Sequence, residues 1–258
     1  MSTVRVVSWN LDHNPVDVFD RVLVSIETLK SVNADILLLQ ECSEDIAEIV
    51  GKSLGLRVHF VNEHGEAVLS RYQAVSSGGR VMGSERSAGF AYAHLNTGCH
   101  AIMAISTHFT WGGGREFLRL ENAREVDLFA TEYFNGVSDL DFITVLGGDL
   151  NTEPNSDTVR YLRGEAVVDG KSTLWSDTWM VGEGDGFTSA RSNPYATRTA
   201  RNVGLTPGSA LLLPNRRIDY LFVKGYAYCR AGAPIKSVII GVEPSSSDHY
   251  GISVDLSC

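Results

Sequence analysis

The residues best suited to chemistry in this chain stand together in Gly147-Gly148-Asp149-Leu150-Asn151, directly after the apolar run Phe142-Ile143-Thr144-Val145-Leu146. The run reads as a buried strand. The paired glycines predict a sharp turn and a close approach of backbone to ligand. Positions two apart on an extended chain share a side, so Asp149 and Asn151 are expected to face one reacting group. The acid would act as general base or metal ligand, and the carboxamide would orient. Taken alone, the pentapeptide is explained as simply by turn punctuation. Five further strand-like segments, however, carry Asn10, Glu41, His108, Asp219, and Asp248 with His249 at or near their edges. Glu41 alone would pass for a solvated strand end and His108 for a structural histidine. Asp219, within an apolar strand, needs partners if it is buried. Were these strands neighbours in packed sheets, all six sites would meet at one rim.

The elements that must position them follow from periodicity. Val4–Trp9 reads as a first strand, and Phe19, Val22, Leu23, Ile26 and Leu29 form one helical face behind it. Ile36–Leu39 is uniformly apolar, as a strand buried on both faces would be, and Gln40-Glu41 closes it. A second amphipathic helix runs through Ile46, Ile49, Val50 and Leu54, and short strands with Gly, Ser and Asn turns fill 57 to 107. The strand 101–107 ends at His108, and a helix is expected from about Arg115 to Phe134, with another near Ser156–Leu162. From Gly182 to Pro214 few apolar positions recur, which predicts a long loop. Strands at 217–223 and 251–256 close the chain. Many strands beside few helices predict a layered α/β body around two packed sheets, with no linker dividing residues 1–258.

Composition bounds the rest. At 43% apolar and 21% charged over 258 residues, the chain is ordinary for a globular protein. No run is long enough to span a bilayer, and the N-terminus lacks a signal-peptide pattern. Cys42, Cys99, Cys229 and Cys258 lie far apart, which suits reduced thiols of a cytoplasmic protein better than a zinc site or disulfide framework. A net charge of −9 argues against indiscriminate coating of nucleic acid. One segment departs from this balance: Arg191, Arg198, Arg201, Arg216 and Arg217 fall in a stretch without any acid.

Together the motifs carry a resemblance. Ser8-Trp9-Asn10, Leu37-Leu38-Leu39-Gln40-Glu41, Thr107-His108, Gly147-Gly148-Asp149-Leu150-Asn151, Arg217-Ile218-Asp219-Tyr220 and Ser247-Asp248-His249 stand in the order seen in the endonuclease/exonuclease/phosphatase superfamily, the DNase I-like proteins. The resemblance covers nearly the whole chain. It implies a four-layered α/β sandwich, two mixed β-sheets packed face to face and flanked by helices. It also implies hydrolysis of a phosphoester, with a nuclease or related phosphodiesterase expected first and a phosphomonoesterase acting on a small metabolite or nucleotide as the alternative. Asn10-Leu11-Asp12 and Ser247–Gly251 resemble the tyrosyl-DNA phosphodiesterase 2 branch. Arg217-Ile218-Asp219-Tyr220 departs from that branch, and Thr188 with Asn193-Pro194 is similar to an element of sphingomyelinase-like members. Arg119 and Asn122 look like the Arg and amide that support the phosphate in many members.

The chemistry accounts for these residue types. A phosphodiester repels a hydroxide nucleophile and has a poor leaving group, and a hard divalent cation offsets both. Mg2+, with Mn2+ as a substitute, is expected on Glu41 and the Asn10 carbonyl, with Asp12 or Asp248 completing the shell. Asp149 would take the proton of the attacking water while Asn151 orients it. His249, backed by Asp219, and His108 would support charge on the phosphoryl oxygen. The 182–214 stretch, with Arg191, Asn193 and Tyr195, is expected to touch the substrate. A monomer without an obligate protein partner is expected.

Overall fold

Alternation and apolar runs become strands where the sequence places them. In the computed structural model, which describes residues 2–136, 142–202, 214–226 and 231–258 (of 199–202, the backbone alone), the order is β1 (Thr3–Asn10), α1 (Val18–Val32), β2 (Ile36–Gln40), α2 (Glu44–Leu54), β3 (Arg57–Val61), β4 (Ala67–Ser70), β5 (Gln73–Met82), β6 (Ala88–Asn96), β7 (Ala101–His108), α3 (Glu116–Asn135), β8 (Phe142–Asp149), α4 (Asp157–Leu162), β9 (Ser176–Asp177), a 3-10 turn (Thr178–Val181), α5 (Pro194–Asn202), β10 (Asp219–Lys224), β11 (Pro234–Ile240) and β12 (Gly251–Ser257).

Among the described residues the strands form two mixed six-stranded sheets. The first runs β11-β12-β1-β2-β4-β3 and the second β5-β6-β7-β8-β10-β9. Their facing sides share one apolar layer: Val4, Val6, Ile36, Leu38 and Val254 from the first meet Ile102, Ala104, Ile143, Val145 and Leu221 from the second. The outer side of the first sheet packs Val7, Trp9, Leu37 and Leu39 on Val22, Ile26 and Leu29 of α1 and Ile46 and Val50 of α2. The outer side of the second packs Met103, Ile105, Phe142, Leu146 and Phe222 on Ala123, Val126 and Phe129 of α3 and Val159 and Leu162 of α4. Each fully buried Leu or Phe contributes about 1.5–3 kcal/mol. The result is the expected helix–sheet–sheet–helix sandwich.

Four expectations change here. Gly147 and Gly148 make no turn; they lie inside β8. A Cβ on Gly147 would stand 2.7 Å from Leu38 Cδ1 and Leu221 Cδ2, and one on Gly148 would stand 1.9 Å from the Thr107 carbonyl oxygen. Glycine is therefore needed for close packing between strands and sheets. The 182–214 stretch holds α5, while 203–213 lie outside the described residues. β11, absent from the sequence reading, is an edge strand with its outer residues half solvated. Cys99 and Cys258 are disulfide-bonded, not reduced, because the β6–β7 connection carries Cys99 to a Cα–Cα distance of 5.3 Å from the end of β12. Cys42 is a free, buried thiol, and Cys229 lies outside the described residues.

Candidate active site

Strand register delivers the site. β1 and β2 are parallel with Asn10 opposite Gln40, and β7 and β8 are parallel with His108 opposite Asp149. β10 runs antiparallel to β8 and begins with Asp219 opposite Asp149, while β12 runs antiparallel to β1 and begins just after His249. All six sequence-chosen sites therefore stand at the same end of the two sheets. Beneath them a buried polar bridge ties sheet to sheet: Gln40 Nε2 donates to Ser106 Oγ (2.9 Å), which donates to the Leu39 carbonyl (2.7 Å).

Asp149 is the point of convergence. Its Oδ2 lies 3.2 Å from Asn10 Nδ2, 3.4 Å from His108 Nε2 and 3.7 Å from His249 Nε2. Its Oδ1 accepts the Asn151 amide at 2.8 Å. The chain turns here: Asn151 has φ 53° and donates its Nδ2 to the Phe109 carbonyl at 3.1 Å. Asp149 and Asn151 are thus joined by a side-chain-to-backbone turn, and not by the alternation of an extended strand.

His249 Nδ1 lies 2.8 Å from Asp219 Oδ2, both side chains nearly out of solvent. Burial opposes charge on the imidazole, yet the Asp219 and Asp149 carboxylates on either side hold its pKa well above the usual value. Burial likewise pushes Asp219 up, beyond what His249 pulls down. Flanked by the two carboxylates, the ring is held toward its charged form, which puts one N–H on Asp219 and the other facing Asp149. Asp149, Asp219 and His249 also offer ligand atoms within 4.8 Å of one another, the donor types of a cation site. With Nδ1 committed to Asp219, the trio is better read as a charge-supported imidazole.

Glu41, at φ 52° just past β2, accepts Asn10 Nδ2 at 3.0 Å and the His13 amide at 2.9 Å, and its Oε2 also meets His13 Nδ1. Burial alone would raise this carboxyl, but the His13 hydrogen bonds, the His108 charge and Asn10 together hold it well below the carboxylate range. A permanently ionised carboxylate whose oxygen shares the Asn10 amide with Asp149 brings two hard oxygen donors together. That donor set suits Mg2+ or Mn2+. Asp248 stands beside His249, its Oδ1 3.5 Å from Ser247 Oγ.

The remaining candidates mostly brace the rim. Asp12 gives its carboxylate to Arg198 (2.7 Å) and Arg21 (3.3 Å). Asn193 donates to the Ser247 carbonyl at 2.9 Å and accepts the Tyr195 amide, anchoring α5 to the loop before His249. Tyr195 lies under the Arg198 guanidinium at 4.8 Å. Arg119 donates to the Thr110 and Gly112 carbonyls, and Asn122 accepts from Thr110, so both shape the loop after His108. Arg191 is exposed, its amide bound to Asn215. Two residues escaped the sequence reading. His13 reaches Glu41 from a polar loop without periodicity, and its contact is visible only after folding. Arg21 donates to the Leu11, Asp12, Asn14 and Ser246 carbonyls from inside α1, where its spacing is that of an ordinary buried helical position.

Four layers, with carboxylates, an amide and two histidines at one rim, define a phosphoester-hydrolase type of protein. The Endonuclease/Exonuclease/phosphatase family model matches residues 7–249, and the chain belongs to that family. Among solved structures, a D. rerio TDP2 humanised by 14 mutations superposes with a TM-score of 0.73 at 15% identity, with 100% of each chain covered. A truncated Caenorhabditis elegans TDP2 gives 0.73 at 17% identity, covering 99% of this chain and 98% of that one. The mannosyl-6-phosphatase of Bacteroides thetaiotaomicron VPI-5482 gives 0.73 at 18%, covering 99% and 100%. At such identities the likeness is one of fold. No curated protein matches in sequence.

Proposed function

We propose that residues 1–258 form one catalytic unit, a divalent-cation-dependent phosphoesterase that hydrolyses a phosphodiester by in-line attack of water. The observation that carries this reading is the single Asp149 oxygen met by donors from Asn10, His108 and His249. Donors gathered on one anionic oxygen are placed to receive a phosphoryl oxygen in turn. Asp149 takes the proton of the attacking water, and Asn151 orients it. His249, held by Asp219, and His108 support the charge that develops on the phosphoryl group. Glu41, with Asp248, would hold Mg2+, which when bound neutralises phosphate charge and supports the leaving oxygen. The expected Asn10 carbonyl ligand is replaced by a donor role, because Asn10 Oδ1 accepts the Asp12 amide at 3.0 Å while its Nδ2 faces Glu41 and Asp149. Asp12, expected as a ligand, supports the cation site only indirectly, since its carboxylate is taken by Arg198 and Arg21, which fix its loop. Tyr195 and Arg191 sit on the α5 side, where substrate contacts are proposed; Arg119, Asn122 and Asn193 position the loops that make them.

One observation favours the second reading, a monoester of a small metabolite or nucleotide. The cleft beside His108 is lined by Glu41, Glu44, Glu63 and Glu66, with no Lys or Arg among its described lining residues. Such walls repel a polyanion. The protein is taken to act as a monomer. A cytoplasmic location loses the support of reduced thiols, since the Cys99–Cys258 disulfide suits an oxidising compartment better. No described helix is long and apolar enough to cross a membrane. The test is turnover of bis(p-nitrophenyl) phosphate and p-nitrophenyl phosphate with Mg2+, then single-stranded DNA, RNA, nucleotides, inositol phosphates and sphingomyelin side by side. Full activity in excess chelator, or in Asp149→Asn, would overturn the mechanism.

A further inference from the structure

Beyond the rim, the ends of the two sheets open into a cleft of about 920 Å³ whose walls include Glu66, Ser87, His108 and Trp111. Glu66 immediately precedes β4 and is fully buried, yet neither carboxylate oxygen has a hydrogen bond from another described residue. Such orphaned acceptors are rare because each costs stability, and those that persist call for a functional reason. The surroundings are shaped to keep the carboxylate where it is. It lies over the bare Cα of Gly89 on β6, where a Cβ would stand 2.5 Å from Glu66 Oε2. Trp111, on the connection between β7 and α3, is 65% exposed at the same cleft. An orphaned carboxyl and an exposed indole lining one cleft fit a ligand with hydroxyls on its edge and C–H groups on its face. Burial also pushes the Glu66 carboxyl up to about 7, against the pull of His108, which leaves a large neutral fraction able to donate as well as accept.

Resting on the phosphoesterase reading, we propose that Glu66 and Trp111 form a subsite for the group that carries the phosphate, and that this group is a sugar or polyol. Glu66 exchanges hydrogen bonds with its hydroxyls while Trp111 covers its C–H face. A second phosphate on the same molecule would meet Glu63 and Glu44, so the substrate class is a singly phosphorylated one.

The experiment compares glucose 6-phosphate and mannose 6-phosphate with phenyl phosphate, which has no hydroxyls, using the whole chain with Mg2+. The ratio of kcat/KM for the better hexose phosphate over phenyl phosphate is expected to fall at least tenfold in Glu66→Ala and in Trp111→Ala. Gly89→Ala, whose new methyl displaces the carboxylate, should lower the ratio in the same direction. Glu66→Gln keeps a donor and an acceptor and should retain the ratio within a few fold. An equal loss on both substrates, or a Glu66→Gln loss as deep as that of Glu66→Ala, would overturn the subsite; the latter would indicate a cation ligand. If the wild type hydrolyses none of the three, the monoester reading fails while the diesterase reading is left to the bis(p-nitrophenyl) phosphate assay, and calorimetric binding of the hexose phosphates decides the subsite by itself. A dissociation constant raised tenfold in Glu66→Ala upholds it, and an unchanged one, or no binding to the wild type, rejects it.

Discussion

The Glu66 carboxyl should leave a signature in stability as a function of pH. Its pKa rises from the ordinary 4.5 to about 7, chiefly through burial. The folded state therefore holds this proton more tightly than the unfolded chain does. That contribution is fully present below about pH 4.5 and is lost as pH rises through about 7. At about 1.36 kcal/mol for each pKa unit, the difference amounts to about 3 kcal/mol between pH 4.5 and pH 8. Glu66→Gln cannot ionise and escapes the loss. Urea denaturation of both proteins at pH 5 and pH 8, in EDTA so that no cation enters the site, reads it directly. Relative to wild type, the Gln variant should gain about 2.5 kcal/mol between pH 5 and pH 8, since part of the loss has already occurred at pH 5. With a slope of about 3 kcal/mol per molar urea, its midpoint should move by about 1 M against that of wild type. A constant difference between the two proteins at pH 5 and pH 8 would refute the reasoning, since it would place Glu66 in a site where ionisation costs nothing.

Other outcomes follow from the same geometry. Glu41→Ala should raise the Mg2+ concentration for half-maximal activity at least tenfold and lower kcat, with the circular dichroism spectrum unchanged; an unaltered Mg2+ titration would remove Glu41 from the cation site. Asp219→Asn should lower kcat by about 10²–10⁴ by disturbing the His249 tautomer, and Asp219→Asn with His249→Ala should cost little more than His249→Ala alone, so fully additive losses would separate the two roles. Gly148→Ala, which places a methyl 1.9 Å from a backbone oxygen, should destabilise the fold by about 2–3 kcal/mol or more in denaturant titration, and a silent substitution would show that β7 and β8 can part there.

The architecture was legible because periodicity and strand-end chemistry report the same thing. Ile36–Leu39 has no polar face because β2 has no solvated side, and Asn10, Glu41, His108 and Asp149 lie at strand ends because register alone brings them together. What escaped depends on long-range contacts. Nothing local distinguishes Gly147-Gly148 in a strand from the same pair in a turn; the deciding atoms belong to Thr107, Leu38 and Leu221. The Cys99–Cys258 bond joins residues 159 apart in sequence, and spacing rules do not reach so far. Arg119, Asn122 and Asn193 carry the right groups for binding phosphate, yet their hydrogen bonds go to loop carbonyls and amides. Glu66 reads as one more acid near a turn until burial removes its partners. β11 had an apolar signal in Val238-Ile239-Ile240, but its half-solvated edge weakened it.

The placement of β12 between β11 and β1 has a consequence for biosynthesis. During synthesis β1 emerges ahead of residues 251–257 and must wait for them before its second neighbour exists. Until β12 emerges the first sheet therefore presents an apolar, unpaired edge at Val4, Val6 and Val7, the kind of surface that recruits chaperones or foreign strands. His249 arrives two residues ahead of the strand that closes that edge. The nascent chain thus gains the His249 imidazole and its missing strand almost together, so a polypeptide that stops short of residue 251 lacks the closed edge of the first sheet as well as a complete rim.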